Sequence, residues 1–155
     1  MYTYIWIYSM NEKKDGSIDT TMEQIIQELD NKNLLHLNSS KIKEMKNNIL
    51  QKLYLTREEL LKYHKVLNKY RYVDELDEIK LGSYIRWFNL RNIENLKLTN
   101  GGLLIDVQPG IDDINLICKN NRNKIFSLNL NKCIVFQKIN YQEELLIKIV
   151  DYIQK

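Results

Sequence analysis

The chain has 155 residues, a net charge of +3, 44% apolar and 28% charged residues, a balance that excludes wholesale disorder and supports a core without disulfide staples. It contains no Ala, one Pro and five Gly, against heavy use of Asn, Lys, Ile, Leu and Tyr. Ala is the best intrinsic helix former, so its absence reports an AT-rich genome and not a folding need.

At the N-terminus Tyr2, Tyr4, Trp6 and Tyr8 alternate with Thr3, Ile5 and Ile7, which predicts a strand. Exposed, it would be an edge seeking a complement, and those four aromatics are candidate partner-docking residues. The run lacks a basic leader and a small-residue cleavage site, so it does not read as a secretion signal, and it is too short to span a bilayer. A second possibility is that translation starts at Met10 or Met22 instead of Met1. Residues 1–19 therefore read as a strand and linker, followed by a helical region over 20–72.

Thr20-x-x-Glu23 is a capping box for a helix over 21–31, with Met22, Ile25, Ile26 and Leu29 at helical spacing. Ser39 or Ser40 caps a second helix over 40–54, whose apolar stripe is Ile42, Met45, Ile49, Leu50 and Leu53, with Lys41, Lys43, Lys46 and Lys52 mostly off it. Thr56 and Glu59 make the clearest start, flanked by Leu55 and Leu60, for a helix over 57–70 with Leu60, Tyr63, His64 and Leu67 inward. These two helices predict an αα-hairpin. No ligand or base neighbours His64 at helical spacing, so it reads as structural. Asp74, Glu75, Asp77 and Glu78 read as a solvated acidic turn.

From Leu81 the period shifts toward two. Strands are predicted at Tyr84–Leu90, Leu103–Gln108, Ile114–Lys119, Lys124–Leu130 and Cys133–Lys138, with turns at Asn100-Gly101-Gly102, Pro109-Gly110, 120–123 and Asn131-Lys132. Asn140-x-x-Glu143 caps a final helix striped by Leu145, Leu146, Ile149, Val150 and Ile153. The expected fold is α+β: an N-terminal αα-hairpin, a five-stranded antiparallel SH3-like or OB-like barrel over 80–140, and a C-terminal helix over 141–155 packed on the barrel or the helices.

Charge is uneven: residues 39–71 carry +6 and residues 80–140 carry +5, with −4 over residues 72–79 between them. Basic surfaces attract phosphate backbones, and small barrels stack bases on exposed aromatics. Tyr84, Arg86 and Phe88 would share one face of the first barrel strand, the wetter one because a buried unpaired Arg is rare. Arg91, Lys119, Arg122 and Lys124 would add charge at loop tips, completing a candidate nucleic-acid surface. The chemistry of catalysis is missing from the sequence: there is no P-loop, dinucleotide fingerprint, zincin helix or nucleophile elbow. Cys118 and Cys133 lie in different strands without a paired-cysteine motif, so no metal is expected. Free thiols are the default, with a cross-strand disulfide left open.

Lys69-Tyr70-Arg71-Tyr72-Val73-Asp74-Glu75-Leu76, Gly82-Ser83-Tyr84-Ile85-Arg86-Trp87 and Leu98-Thr99-Asn100-Gly101-Gly102, with Cys118-Lys119-Asn120-Asn121 and Phe136-Gln137-Lys138, resemble uncharacterised proteins of giant nucleocytoplasmic DNA viruses over residues 45–140. The resemblance implies a viral origin and a place in the virion, host cytoplasm or viral factory. The expected role is a non-enzymatic protein-interaction or virion structural module, without cofactor, whose partner is a viral or host protein or a second copy. The alternative is an accessory protein that binds DNA or RNA.

Overall fold

A computed structural model describes residues 37–154, together with Thr21, Glu23, Gln24 and Gln27, which are helical. The N-terminal strand expected around Tyr2, Tyr4, Trp6 and Tyr8 lies outside the described residues. The chain divides into two compact units, Glu44–Ile139 and Met1–Lys43 with Asn140–Lys155.

Helix α1 (Ser39–Gln51) is followed by α2 (Arg57–Val66). The cap of α1 is Asn38, whose Oδ1 accepts from the Lys41 amide at 2.8 Å, and not Ser39 or Ser40, which lie inside the helix; α1 also ends before the expected residue 54. Thr56 accepts from the Glu59 amide at 3.2 Å while the Glu59 carboxylate accepts from the Thr56 amide at 3.1 Å, closing the expected capping box. α2 stops earlier than the apolar period implies. Leu67 is its C-cap, and Tyr70–Val73 forms strand β1 instead of a last helical turn. The β-branched and aromatic residues of Tyr70-Arg71-Tyr72-Val73 suit a pleated surface better than a helix end.

The remaining strands are β2 (Tyr84–Asn89), β3 (Gly102–Pro109), β4 (Ile114–Lys119), β5 (Ile125–Asn129) and β6 (Cys133–Lys138). They form one six-stranded antiparallel sheet in the order β1-β6-β2-β3-β4-β5. The expected five-stranded SH3-like or OB-like barrel is therefore wrong. The sheet is open, and among the described residues β1 and β5 are its edges. Two features set this sheet apart from a simple meander. The last strand inserts between β1 and β2, pairing Tyr70 with Lys138 on one side and Ile85 with Gln137 on the other. β3 leaves β2 after two register pairs, and Thr99 takes over, its amide donating to the Trp87 carbonyl at 3.0 Å.

Strand alternation divides two cores. Phe88, Ile134, Phe136 and Tyr70 face the helical hairpin, packing with Leu50, Leu53, Tyr63 and Leu67. The Tyr63 and Phe88 rings meet edge to face, 5.1 Å between centroids. On the other face Ile85, Trp87 and Val135 pack with Leu104, Leu116, Cys118 and Leu128, so β3, β4 and β5 curl over β2 and β6. A bulge in β3 between Leu104 and Asp106 accompanies that bend. Arg71 and Gln137, cross-strand partners and both buried, hold the acidic connector: Arg71 Nη2 donates to the Glu78 carbonyl at 2.7 Å, and Gln137 Oε1 accepts from the Lys80 amide at 2.9 Å.

In the smaller unit, α3 (Tyr141–Ile153) starts where Asn140 Oδ1 accepts from the Glu143 amide at 2.8 Å, the cap read in the sequence. Its buried residues are Glu143, Leu146, Ile147 and Val150. Asp151 accepts from both the amide and the hydroxyl of Ser39, satisfying the first turn of α1. No helix among the described residues is long and apolar enough to cross a membrane.

Candidate docking groove

The outer side of β5 borders an open groove of about 310 Å³. Phe126, Ser127, Leu128 and Asn129 form one wall, and no residue of β4 takes part, so the groove lies along the strand edge that no described residue pairs. Trp87 and Asn89 of β2, Thr99 and Cys133 form the facing side, with Arg91 and Lys132 beside them.

Two matching turns set those cations. Asn89 ends β2, and its Oδ1 accepts from the Arg91 amide at 3.0 Å, opening the 3-10 segment Leu90–Asn95. Asn129 ends β5, and its Oδ1 accepts from the Asn131 amide at 2.9 Å, opening the turn Leu130–Lys132. Such side-chain turns let Asn replace the next strand hydrogen bond. Because Asn89 pairs with Cys133, the two turns and their cations share one end of the groove. Lys124 lies near the opposite end of β5, its ammonium 5.4 Å from the centre of the Phe126 ring. Among the described residues, no carboxylate lines the groove.

The residues expected to bind nucleic acid are dispersed. Phe88 has no exposed surface and belongs to the core beneath the helices, so it is closed to a stacking base, while Tyr84 and Arg86 stay partly exposed. The Tyr84 hydroxyl donates to the Asn100 carbonyl at 2.8 Å and Arg86 Nε donates to the Thr99 carbonyl at 2.8 Å. Both hold the segment that flanks β2. Lys119, Arg122 and Lys124 are exposed around the β4–β5 turn, where Asn120 Oδ1 accepts from the Arg122 and Lys124 amides, each at 2.9 Å. Only Arg91 of the seven lines the groove. Sequence reasoning misses Lys132 and the edge of β5. Their signal is the repeated Asn-Leu at 89–90 and 129–130, each closing a strand just before a cation.

Both cysteines are free. Burial pushes the Cys118 thiol up to about 12. Burial also raises Cys133, while the Arg91 charge and a backbone hydrogen bond at Asn129 pull it partly back. At neutral pH iodoacetamide is expected to alkylate Cys133 before Cys118, because Cys133 is half-buried and Cys118 is fully enclosed. The Cys133 rate should climb as pH passes the ordinary thiol range, since its thiolate forms late. Mass spectrometry over a pH series reads both, and faster labelling of Cys118 would contradict the burial assignment.

His64 is half-buried, and burial followed by the Lys46 charge holds its imidazole below the usual range. No group of three metal-ligating side chains occurs among the described residues. Compared with known proteins, the chain matches no family model, no curated protein and no solved structure.

Proposed function

We propose that this chain is a non-enzymatic protein-interaction module that takes an extended segment of another protein along the outer edge of β5. The carrying observation is a strand edge, unpaired among the described residues, that opens into a groove instead of a closed sheet. Unpaired backbone groups supply affinity to an incoming strand, and the space beside them receives alternate side chains. The resemblance to giant-virus proteins over residues 45–140, whose motifs include Trp87 and Thr99 of the groove, favours a viral setting, in the virion or the host cytoplasm. The DNA- or RNA-binding alternative draws on the cations of the β4–β5 turn, but it loses its stacking platform with Phe88 inside the core.

The test is a random displayed-peptide selection against the full chain, followed by backbone amide exchange with a selected peptide bound. Protection concentrated at Phe126–Asn129 is the expected result. Protection confined to other strands, or a failure to select any binder, would overturn the reading. Salt-sensitive binding of a single-stranded oligonucleotide with protection around the β4–β5 turn would favour the alternative.

A further inference from the structure

We infer that the groove selects a docked segment in which an acidic residue stands two positions from an apolar one. This rests on the edge-docking reading and adds to it the chemistry of the partner.

A strand laid along β5 points alternate side chains into the groove, roughly 6.6–6.8 Å apart. β5 itself turns Phe126 and Leu128 inward and leaves Ile125 and Ser127 exposed. One inward side chain of the guest therefore meets Phe126, with Trp87 on the facing wall, a site for an apolar group. The next inward position, toward the Asn129 end, reaches the turns that carry Arg91 and Lys132. A carboxylate there finds two cations and no acidic competitor among the described lining residues. Hydrogen bonds between ionised groups are about twice as strong as neutral ones, so this position sets the preference. If the guest runs antiparallel to β5, the acid precedes the apolar residue; if parallel, it follows.

The experiment uses the full chain and peptides chosen from the displayed library, measured by fluorescence anisotropy. The selected peptides should share an acidic and an apolar residue two positions apart, in one order throughout. Changing the acidic residue to its amide should weaken binding about tenfold, a loss of roughly 1.4 kcal/mol. Arg91→Ala with Lys132→Ala should weaken the acidic peptide by a similar factor and leave the amide peptide unchanged. Both side chains are exposed, so the fold tolerates their removal. Backbone N-methylation of the peptide tests edge pairing without altering the protein. Loss of binding on methylation but indifference to the acid overturns the acidic preference and keeps the edge. Indifference to both overturns the edge reading as well. An oligonucleotide that binds more tightly than any peptide, and depends on Arg91, assigns the groove to phosphates and overturns the peptide specificity.

Discussion

Lys46→Met is expected to destabilise the fold by about 3–5 kcal/mol. Lys46 is only 5% exposed, and its ammonium donates to the Leu67 carbonyl at 2.8 Å and the Tyr70 carbonyl at 3.0 Å. Leu67 caps α2 and Tyr70 begins β1, so one cation ties the helix end to the first strand. It also sits where the helix dipole is negative. Met keeps the length of the chain but takes the ammonium from the Tyr70 carbonyl and leaves the Leu67 carbonyl with the Tyr70 amide alone, at 3.0 Å; a buried polar group that loses its partner costs about 1–3 kcal/mol. Lys43→Met, at an exposed position of the same helix, should stay within about 0.5 kcal/mol. Urea unfolding measures both. A second readout separates the charge from the packing: with Lys46 gone, the His64 titration should move up toward the ordinary imidazole range. Equal stability of the two variants would refute the clamp.

Gly101→Ala is expected to cost on the order of 3 kcal/mol or more, or to prevent folding. Gly101 has φ of +87°, and a Cβ there would collide with the Ile85 carbonyl oxygen and stand 2.8 Å from Arg86 Cγ. The backbone of β2 cannot yield without breaking its pairing with β6. Gly82 supplies the control. Its φ of +83° is just as unusual, but nothing lies within 4 Å of its would-be Cβ. Gly82→Ala should lose only the backbone term, about 1–2 kcal/mol. Thermal melts of the two variants test the difference, and a Gly101→Ala protein as stable as Gly82→Ala would sink the argument.

Both residues show where local sequence patterns carry information and where they do not. Asn100-Gly101-Gly102 marks a turn from sequence alone, because few other residues tolerate a positive φ. The capping box at Thr56 and the cap at Asn140 are equally legible, each being a local hydrogen-bond device. The alternation that predicts strands after Leu81 places each of them within a residue of its observed ends. Ile114–Lys119 and Cys133–Lys138 match outright.

Long-range order is not legible. Nothing local says that β6 returns between β1 and β2, and a meander of five strands reads the same whether it closes or stays open. β1 hides inside an apolar helical period that runs on through Tyr70. Lys46 misleads for a related reason. Its charge suggests an outward position, although it lies four residues from both Ile42 and Leu50, which are buried. The carbonyls that receive it come from different elements. The groove escapes notice because an edge strand becomes visible only once the pairing order is known. Arg91 stands out by its charge, whereas Lys132 reads only as part of a turn.

The cations around β5 also bear on how copies of this protein treat one another. An open sheet edge is a template for any other strand, including the same strand of a second molecule. β5 is five residues long, with Lys124 just before it and Lys132 shortly after. Two such edges meeting in solution would bring lysine against lysine, and like charges placed opposite each other disfavour pairing. In the docking proposed above, Lys132 would serve twice: with Arg91 it would favour an acidic strand, and with Lys124 it would disfavour pairing of β5 with its own copy.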